Sequence, residues 1–393
     1  MPALIFRKGL DLKHEVAGAL ADSYHSALVQ RIKADDYRFA AGRLTVHLAR
    51  EFGFCYGVDR AVDYAYQARK RFPSQQVFLT GEIIHNPHVN DQLRAQGIRF
   101  LSDPEESWAR LGASDVVILP AFGVTIEELQ RLDRLGCTLV DTTCGSVLNV
   151  WKNVKRYAQD GFTSIIHGKH WHEETRATAS QAVHTNSGHY LVLLDKVQTD
   201  DVCGYISGRA GSLTSRELLD RFKDAVSPGF DPEQHLQRLG CANQTTMLST
   251  ESMEIGEMFR AAMCQRHGEA ELSVRFRTFD TICSATQDRQ DAVIKLLAEQ
   301  RLDLMVVIGG YNSSNTCNLA RICADRVTTY HVADPGALLS ANEIRHRDVS
   351  TRAETTTTRW MPSGPLVVGL TSGASTPDNL VEQVVRRLET FSA

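Results

Sequence analysis

A chain of 393 residues has length for two or three domains with buried cores, and its formal net charge of −4 comes from acids and bases mixed along the sequence. No basic block is present to track a phosphate backbone, which disfavours a nucleic-acid partner, and no uncharged apolar run reaches the roughly 18 residues that would span a bilayer, which disfavours a membrane one. Nine scattered cysteines without any sign of export read as thiols or metal ligands in a reducing, cytoplasmic setting rather than as a disulfide framework.

Residues 1–43 read as an N-terminal extension that packs on the body. They lack an apolar segment followed by a small-residue cleavage site, and Asp11, Glu15, Asp22, Asp35 and Asp36 argue against an organelle transit peptide. From about Arg43 onward, short β-branched runs alternate with longer amphipathic segments. The runs are RLTVHLA, QQVFLTG, SDVVILPA, CTLVDTT, TSIIHGK, YLVLLDK, LDLMVVIGG and PLVVGLTSG. Between them VDRAVDYAYQARKRF, VLNVWKNVKRYAQD, QDRQDAVIKLLAEQ and PDNLVEQVVRRLETF carry apolar residues at three-to-four spacing and predict helices. The rhythm is that of stacked βα units: an α/β class with mainly parallel sheets.

VDTTCGS around Cys144 and FDTICSA around Cys283 share Asp-Thr-x-Cys between a short strand and a long helix, and EFGFCYG around Cys55 occupies the same kind of junction. Three similar units with one cysteine each predict a pseudo-threefold organisation, with units at 44–143, 144–281 and 282–393 and the first strand free to join the third unit. Residues 213–237, which have helical character but are highly charged, and 343–365, with the threonine run 355–358, read as loops rather than core and without chemistry.

A helix N-terminus offers unpaired N–H groups and partial positive charge, so a cysteine there is biased toward the metal-binding thiolate. Cys55, Cys144 and Cys283 all stand at such starts. Three thiolates would give a cubane cluster all but one of its usual cysteine ligands, leaving one iron open as a Lewis acid. With no Cys-x-x-Cys pair, small buried hydrophobes remain the alternative, and a structural zinc module is disfavoured by the wide spacing. Cys137, Cys203, Cys241, Cys264, Cys317 and Cys323 lie in strand-like or mid-helix contexts and read as core packing.

Polar clusters fall at the same strand ends. GEIIHNPHVN sets His85 before a Pro-started helix, and GKHWHEETRAT puts His170, His172 and Glu174 on alternate residues, a phosphate-binding cation beside a proton donor. CANQTTMLS offers Gln244, Thr245 and Thr246. VVIGGYNSSNTCN presents Asn312, Ser313, Ser314 and Asn315 after a Gly pair, and GLTSGASTPDN presents Ser375. Each alone could be a helix cap or a solvated loop. Their shared position at the C-terminal ends of strands makes one polar ligand pocket the simpler account.

GFCYGVDRA, GEIIHNP, DTTC, HEET, NQTT, DTIC followed by ATQDRQ, GGYNSSNT and TSGASTPD occur in this order and resemble the hydroxymethylbutenyl diphosphate reductases, the LytB or IspH family of the non-mevalonate isoprenoid pathway. The resemblance runs from about Arg43 to the C-terminus, and the extension looks like that of the longer cyanobacterial and plastid-like branch. It implies a 4Fe-4S cluster held by Cys55, Cys144 and Cys283 with one open iron, and a small allylic diphosphate as substrate. It further implies a diphosphate site at His85, His172, Ser313, Ser314, Asn315 and Ser375 and a proton relay through Glu174 and Thr245. Gln244, Thr246 and Thr286 join the substrate-binding candidates.

The implied reaction is a two-electron removal of the hydroxyl as water, giving isopentenyl and dimethylallyl diphosphate, with ferredoxin or flavodoxin as electron donor. One departure is Phe122 in LPAFGVT, where many members have a histidine, which removes one phosphate donor. An aconitase-like hydrolyase would need no electron donor and gives a diphosphate pocket no role. A non-catalytic iron–sulfur sensor would leave Glu174, Thr245 and the NSSN turn unexplained.

Overall fold

The computed structural model describes residues 4–184, 188–279 and 281–392 of the chain. The first three residues of the extension and Asp280 of the Asp-Thr-x-Cys echo lie outside them. The chain divides into two compact units, one built mainly from Phe122–Cys137 and Thr143–Cys283, the other from Ile5–Ala121, Thr138–Thr142 and Ser284–Ala393.

The first unit holds a four-stranded parallel sheet in the order Phe276–Thr278, Leu239–Asn243, Thr163–His167, Tyr190–Leu193. Ile165, Ile166, Leu191, Leu193 and Leu239 build its core against Val202, Ile206, Ile255 and Phe259 of the flanking helices. Leu239–Asn243 stands outside the β-branched runs because LGCAN has no β-branched residue, and only the polar cluster after it pointed to a strand, yet every one of its residues is buried. Packing explains the composition. A Cβ on Gly240 would lie 2.5 Å from the Tyr157 ring, whose hydroxyl donates to Cys241 O at 2.9 Å, so only glycine lets the ring lie on the strand.

The second unit holds two sheets. In one, Ile5–Phe6, Thr138–Asp141, Val116–Leu119, Val77–Leu79 and Ile98–Phe100 run parallel in that spatial order. In the other, Thr329–Val332, Leu304–Ile308, Leu366–Ser372 and Leu44–Leu48 form a parallel centre, and antiparallel strands close both edges. All eight β-branched runs contain strands, and the four predicted helices form as Tyr56–Arg71, Gly145–Gln159, Ser284–Glu299 and Asp378–Ser392. The α/β class with mainly parallel sheets is the observed one.

The extension supplies an edge strand to each sheet of its unit, Ile5–Phe6 and Arg38–Ala41, and two helices, Lys13–Tyr24 and Ala27–Ala34. Two loop expectations are refined. The helical character of residues 213–237 takes the form of the short helices Ser215–Arg221 and Pro232–His235, the first opened by a capping box at Thr214. Within 343–365, Glu343–Arg347 and Glu354–Thr358 pair as an antiparallel hairpin. Ile344 and His346 point inward there, an alternation the intervening charges obscure, while the threonine run lines the edge. Its turn is closed by Asp348, which accepts from the N–H and hydroxyl of both Ser350 and Thr351.

His331 ties the central strands of the seven-stranded sheet to the glycine turn that follows Leu304–Ile308. It is buried, its Nε2 donates to Gly309 O at 3.0 Å, and Tyr311 meets its ring edge-on. Burial pulls its pKa from 6.5 down to about 4. The native ring is therefore neutral and the unfolded one protonates first, so its stabilising contribution is complete above pH 6.5 and is lost as pH falls toward 4. Urea denaturation over that window should show a loss of about 3 kcal/mol that His331→Phe lacks. Equal pH slopes in the two proteins would remove this assignment.

Candidate active site

In the first unit, two strand ends bring Glu174 and Thr245 together. Thr163–His167 leads through Gly168 to the helix Glu173–Ala182, whose N-cap is His172, and Leu239–Asn243 leads into Gln244 and Thr245. Glu174, only 3% exposed, accepts from Thr245 N at 2.6 Å with Oε1 and from Thr245 Oγ1 at 3.0 Å with Oε2. The two strand ends can approach because position 168 is glycine: a Cβ there would meet Thr175 Oγ1 at 2.9 Å and Gln244 Cβ at 3.0 Å. Gln244 Oε1 accepts from Lys169 N and Thr175 Oγ1, and its Nε2 donates to Thr246 Oγ1 at 2.9 Å, so Gln244 and Thr246 brace the turn that carries Thr245.

Cys283 belongs to the same network. Its N–H donates to Thr245 O at 3.4 Å, and Thr281 Oγ1 just before it accepts from Asn243 N at 2.8 Å. Cys144 is the N-cap of Gly145–Gln159, with extended backbone and no side-chain cap hydrogen bond. Trp151 locks that helix to Glu173–Ala182 through Thr178 Oγ1 at 3.2 Å. The same ring fills the space beside Gly123, where φ is +78° and a Cβ would lie 2.4 Å away. Phe122 next to it meets the His172 ring edge-to-face at 6.0 Å. His172 Nδ1 accepts from Glu174 N at 3.2 Å, which leaves the hydrogen of the neutral ring on Nε2. His170 lies one turn earlier against the exposed Trp171 rather than beside Glu174 in the helix.

In the second unit, three turns at the C-terminal ends of parallel strands carry the remaining polar candidates. After Val77–Leu79 comes His85, which is buried and followed by Asn86, the N-cap of Pro87–Ala95. After Leu304–Ile308 come two glycines and Ser313, which caps Ser314–Ala324 by accepting from Thr316 N. After Leu366–Ser372 comes Ser375, whose Oγ donates to His85 O at 3.2 Å. The turns interlock: Asn315 Oδ1 accepts from Ala374 N at 3.1 Å, and a Cβ on Gly373 would lie 2.0 Å from Thr316 Oγ1. Asn315 is 3% exposed, yet its Nδ2 has no hydrogen-bond partner among the described residues. A buried donor left open among Ser313, Ser314 and Ser375 fits an anion.

Cys55 is the N-cap of Tyr56–Arg71 and is fixed by its N–H to Ala374 O at 3.2 Å. Arg289 holds the approach to it, donating to Gly53 O at 2.8 Å, and Thr286 is buried on the same helix. Sequence reasoning missed Arg289 and also Glu82, whose Oε2 lies 2.7 Å from His85 Nδ1. It placed Asn312 on the anion, whereas Asn312 Nδ2 donates to Glu82 at 2.9 Å. Glu82 stands three residues before His85 in GEIIHNP, a spacing that could have suggested the pair.

The other six cysteines differ in kind. Burial pushes the Cys203 thiol up to about 12 and also raises Cys241 and Cys323, which keeps them protonated, and Cys137 is fully buried. Cys264 and Cys317 are corrected from core to partly exposed positions. Cys264 Sγ donates to the Glu269 carboxylate past the end of its helix, and Cys317 Sγ donates to Tyr311 O from the first turn of its own.

Comparison with known proteins gives one consistent match. The model of the family described as LytB protein matches residues 46–389. A 4-hydroxy-3-methylbut-2-enyl diphosphate reductase from Picosynechococcus sp. is 46% identical over 386 residues, covering 98% of this chain and 93% of the relative. One from Gloeobacter violaceus is 47% identical, covering 98% and 91%. A solved structure of (E)-4-hydroxy-3-methyl-but-2-enyl diphosphate reductase, the terminal enzyme of the non-mevalonate pathway, superposes with TM-score 0.52 at 26% identity, covering 88% of this chain and 99% of the other. The structure of the Plasmodium falciparum E-1-hydroxy-2-methyl-but-2-enyl-4-diphosphate reductase shares the fold with TM-score 0.63 at 20% identity, covering 87% and 86%. The chain belongs to the LytB protein family.

Proposed function

We propose that this chain is a 4-hydroxy-3-methylbut-2-enyl diphosphate reductase, acting in the last step of the non-mevalonate isoprenoid pathway. The allylic C–O bond breaks, two electrons and two protons enter, and the products are water with isopentenyl or dimethylallyl diphosphate. The observation that carries the reading is the buried Glu174–Thr245 pair, joined through Thr245 O to the N–H of Cys283.

The donor set fits an iron–sulfur cluster: Cys55 and Cys144 cap helices without using their sulfur for capping, and Cys283 directly precedes another helix. These three would hold a 4Fe-4S cluster with one iron open, and when bound it supplies electrons singly and a Lewis acid. Glu174 holds a proton at its carboxyl and exchanges it with the Thr245 hydroxyl, which burial shields from bulk water. His85, His172, Ser313, Ser314, Asn315 and Ser375 hold the diphosphate, each charge-assisted bond contributing about 1.5–3 kcal/mol. That grip places the hydroxyl for reaction. Thr286 is assigned to the same pocket, and Gln244 and Thr246 to the support of Thr245.

Three α/β units at 44–143, 144–281 and 282–393, a ferredoxin or flavodoxin as donor, and a reducing cytoplasmic setting complete the proposal. Among the described residues no helix is long and apolar enough to cross a membrane. The test is anaerobic turnover of the hydroxymethylbutenyl diphosphate with reduced methyl viologen. Both diphosphate products are expected, and a protein with an intact cluster that leaves the substrate unchanged would sink the reading.

A further inference from the structure

We infer that Glu82 and Asn312 are positioning residues that set His85 for anion binding, an inference that rests on the diphosphate reading of His85. One carboxylate oxygen, Glu82 Oε2, lies 2.7 Å from His85 Nδ1 and 2.9 Å from Asn312 Nδ2, and the latter two atoms are 3.4 Å apart. A carboxylate only accepts, so the hydrogen on the His85 ring at Nδ1 points to Glu82, and the ring plane and the direction of Nε2 are fixed with it. A ring that gives Nδ1–H to Glu82 and Nε2–H to a phosphate oxygen carries both protons and a positive charge. Glu82 is the anion placed to balance that charge.

The geometry explains an otherwise awkward placement. A carboxylate beside a site for a diphosphate opposes binding through space, but transmitted through the imidazole the same charge turns His85 into a charge-assisted donor. Asn312 keeps the carboxylate from swinging into the approaching anion. Backbone packing holds Asn312 in turn: a Cβ on Gly310 would lie 2.7 Å from His85 O and 3.0 Å from Asn312 Oδ1, so the turn can close on the His85 segment only as glycine. Ser375 grips the His85 carbonyl from the third turn. Glu82 itself is a third exposed, so the effect is read as a change in affinity rather than in fold stability.

The test is a set of variants in the cluster-loaded enzyme. KM for the diphosphate substrate is measured beside the affinity for inorganic pyrophosphate by calorimetry. Glu82→Gln keeps the shape and removes the charge, and should raise KM and weaken pyrophosphate binding by about tenfold each, with the loss falling on KM rather than kcat. Asn312→Ala should cost about threefold in the same two quantities. In a His85→Asn background, Glu82→Gln should add nothing further, because its effect passes through the ring. Unchanged KM and pyrophosphate affinity in Glu82→Gln, while His85→Asn raises KM, would overturn this inference and leave the proposed reaction standing. Losses that add in the double variant would overturn it equally. A His85→Asn protein with wild-type KM and pyrophosphate affinity would remove both this inference and the diphosphate role of His85.

Discussion

Glu174→Gln should lower kcat by about 10²- to 10⁴-fold while the visible spectrum of the cluster and the thermal stability stay close to wild type. The amide keeps the volume of the carboxyl. Its oxygen can still accept from Thr245 N, now made at 2.6 Å, and the Thr245 hydroxyl can rotate to accept from the new NH₂ in place of donating to Oε2. Packing and hydrogen bonds are therefore conserved, and only the exchangeable proton is lost. Glu174→Ala is the wrong experiment, because it leaves the Thr245 N–H buried without an acceptor, at a cost of about 1–3 kcal/mol, and so mixes folding with chemistry. A Gln variant that keeps more than about a tenth of wild-type turnover would take Glu174 out of the proton relay. A spectrum lost along with activity would show that the residue supports the Cys283 segment instead.

The fold was legible wherever local chemistry and long-range packing agree. VVIL, SIIH and LMVV are β-branched, flanked by turn residues, and buried on both faces, so eight strands and their class could be read directly. LGCAN failed because its glycine exists for a ring that arrives from Tyr157, more than eighty residues away in sequence. Glu343–Arg347 failed because the exposed Glu343 and Arg345 flank its buried Ile344 and hide the alternation behind charges that mimic a loop. The pairing of Leu44–Leu48 with Leu366–Ser372 is a non-local fact, which sequence reasoning could offer only as an option.

The site was legible residue by residue but not in its connections. Ser, Thr and Asn after a strand signal either a cap or a ligand site, and Ser313, inside the NSSN turn, is in fact a cap. What separates the readings is information the sequence does not hold: the Nδ2 of buried Asn315, without a partner among the described residues, or the Glu82 carboxylate that takes up Asn312 and His85 together. Histidines are the sharpest case. His85 and His172 look equivalent in their motifs, yet Nδ1 of one faces a carboxylate and Nδ1 of the other accepts a backbone N–H, so their Nε2 atoms are set by different partners.

Cys144→Ser and Cys283→Ser should each lose the cluster absorption and iron, with activity reduced by roughly 10²-fold or more, whereas Cys264→Ser and Cys317→Ser should keep both near wild type. Serine preserves the size of the side chain but replaces a soft thiolate with a hydroxyl that stays protonated, a poor partner for iron in a sulfide cluster. The choice of controls decides whether the result means anything. Serine at Cys203, Cys241 or Cys323 would bury a hydroxyl where the native thiol is held neutral by its apolar surroundings, and would lose iron simply by unfolding. Cys264 and Cys317 are partly exposed, as the candidate ligands are, and their sulfurs donate to Glu269 and to Tyr311 O, bonds a serine hydroxyl can replace. Iron retained in Cys144→Ser, or lost in Cys264→Ser while its fold persists, would mean that a helix-start cysteine is not what selects the ligands. The Cys283 variant carries a second readout, since its N–H still donates to Thr245 O: the Glu174–Thr245 pair should survive in it, so iron loss there isolates the sulfur from the network it sits beside.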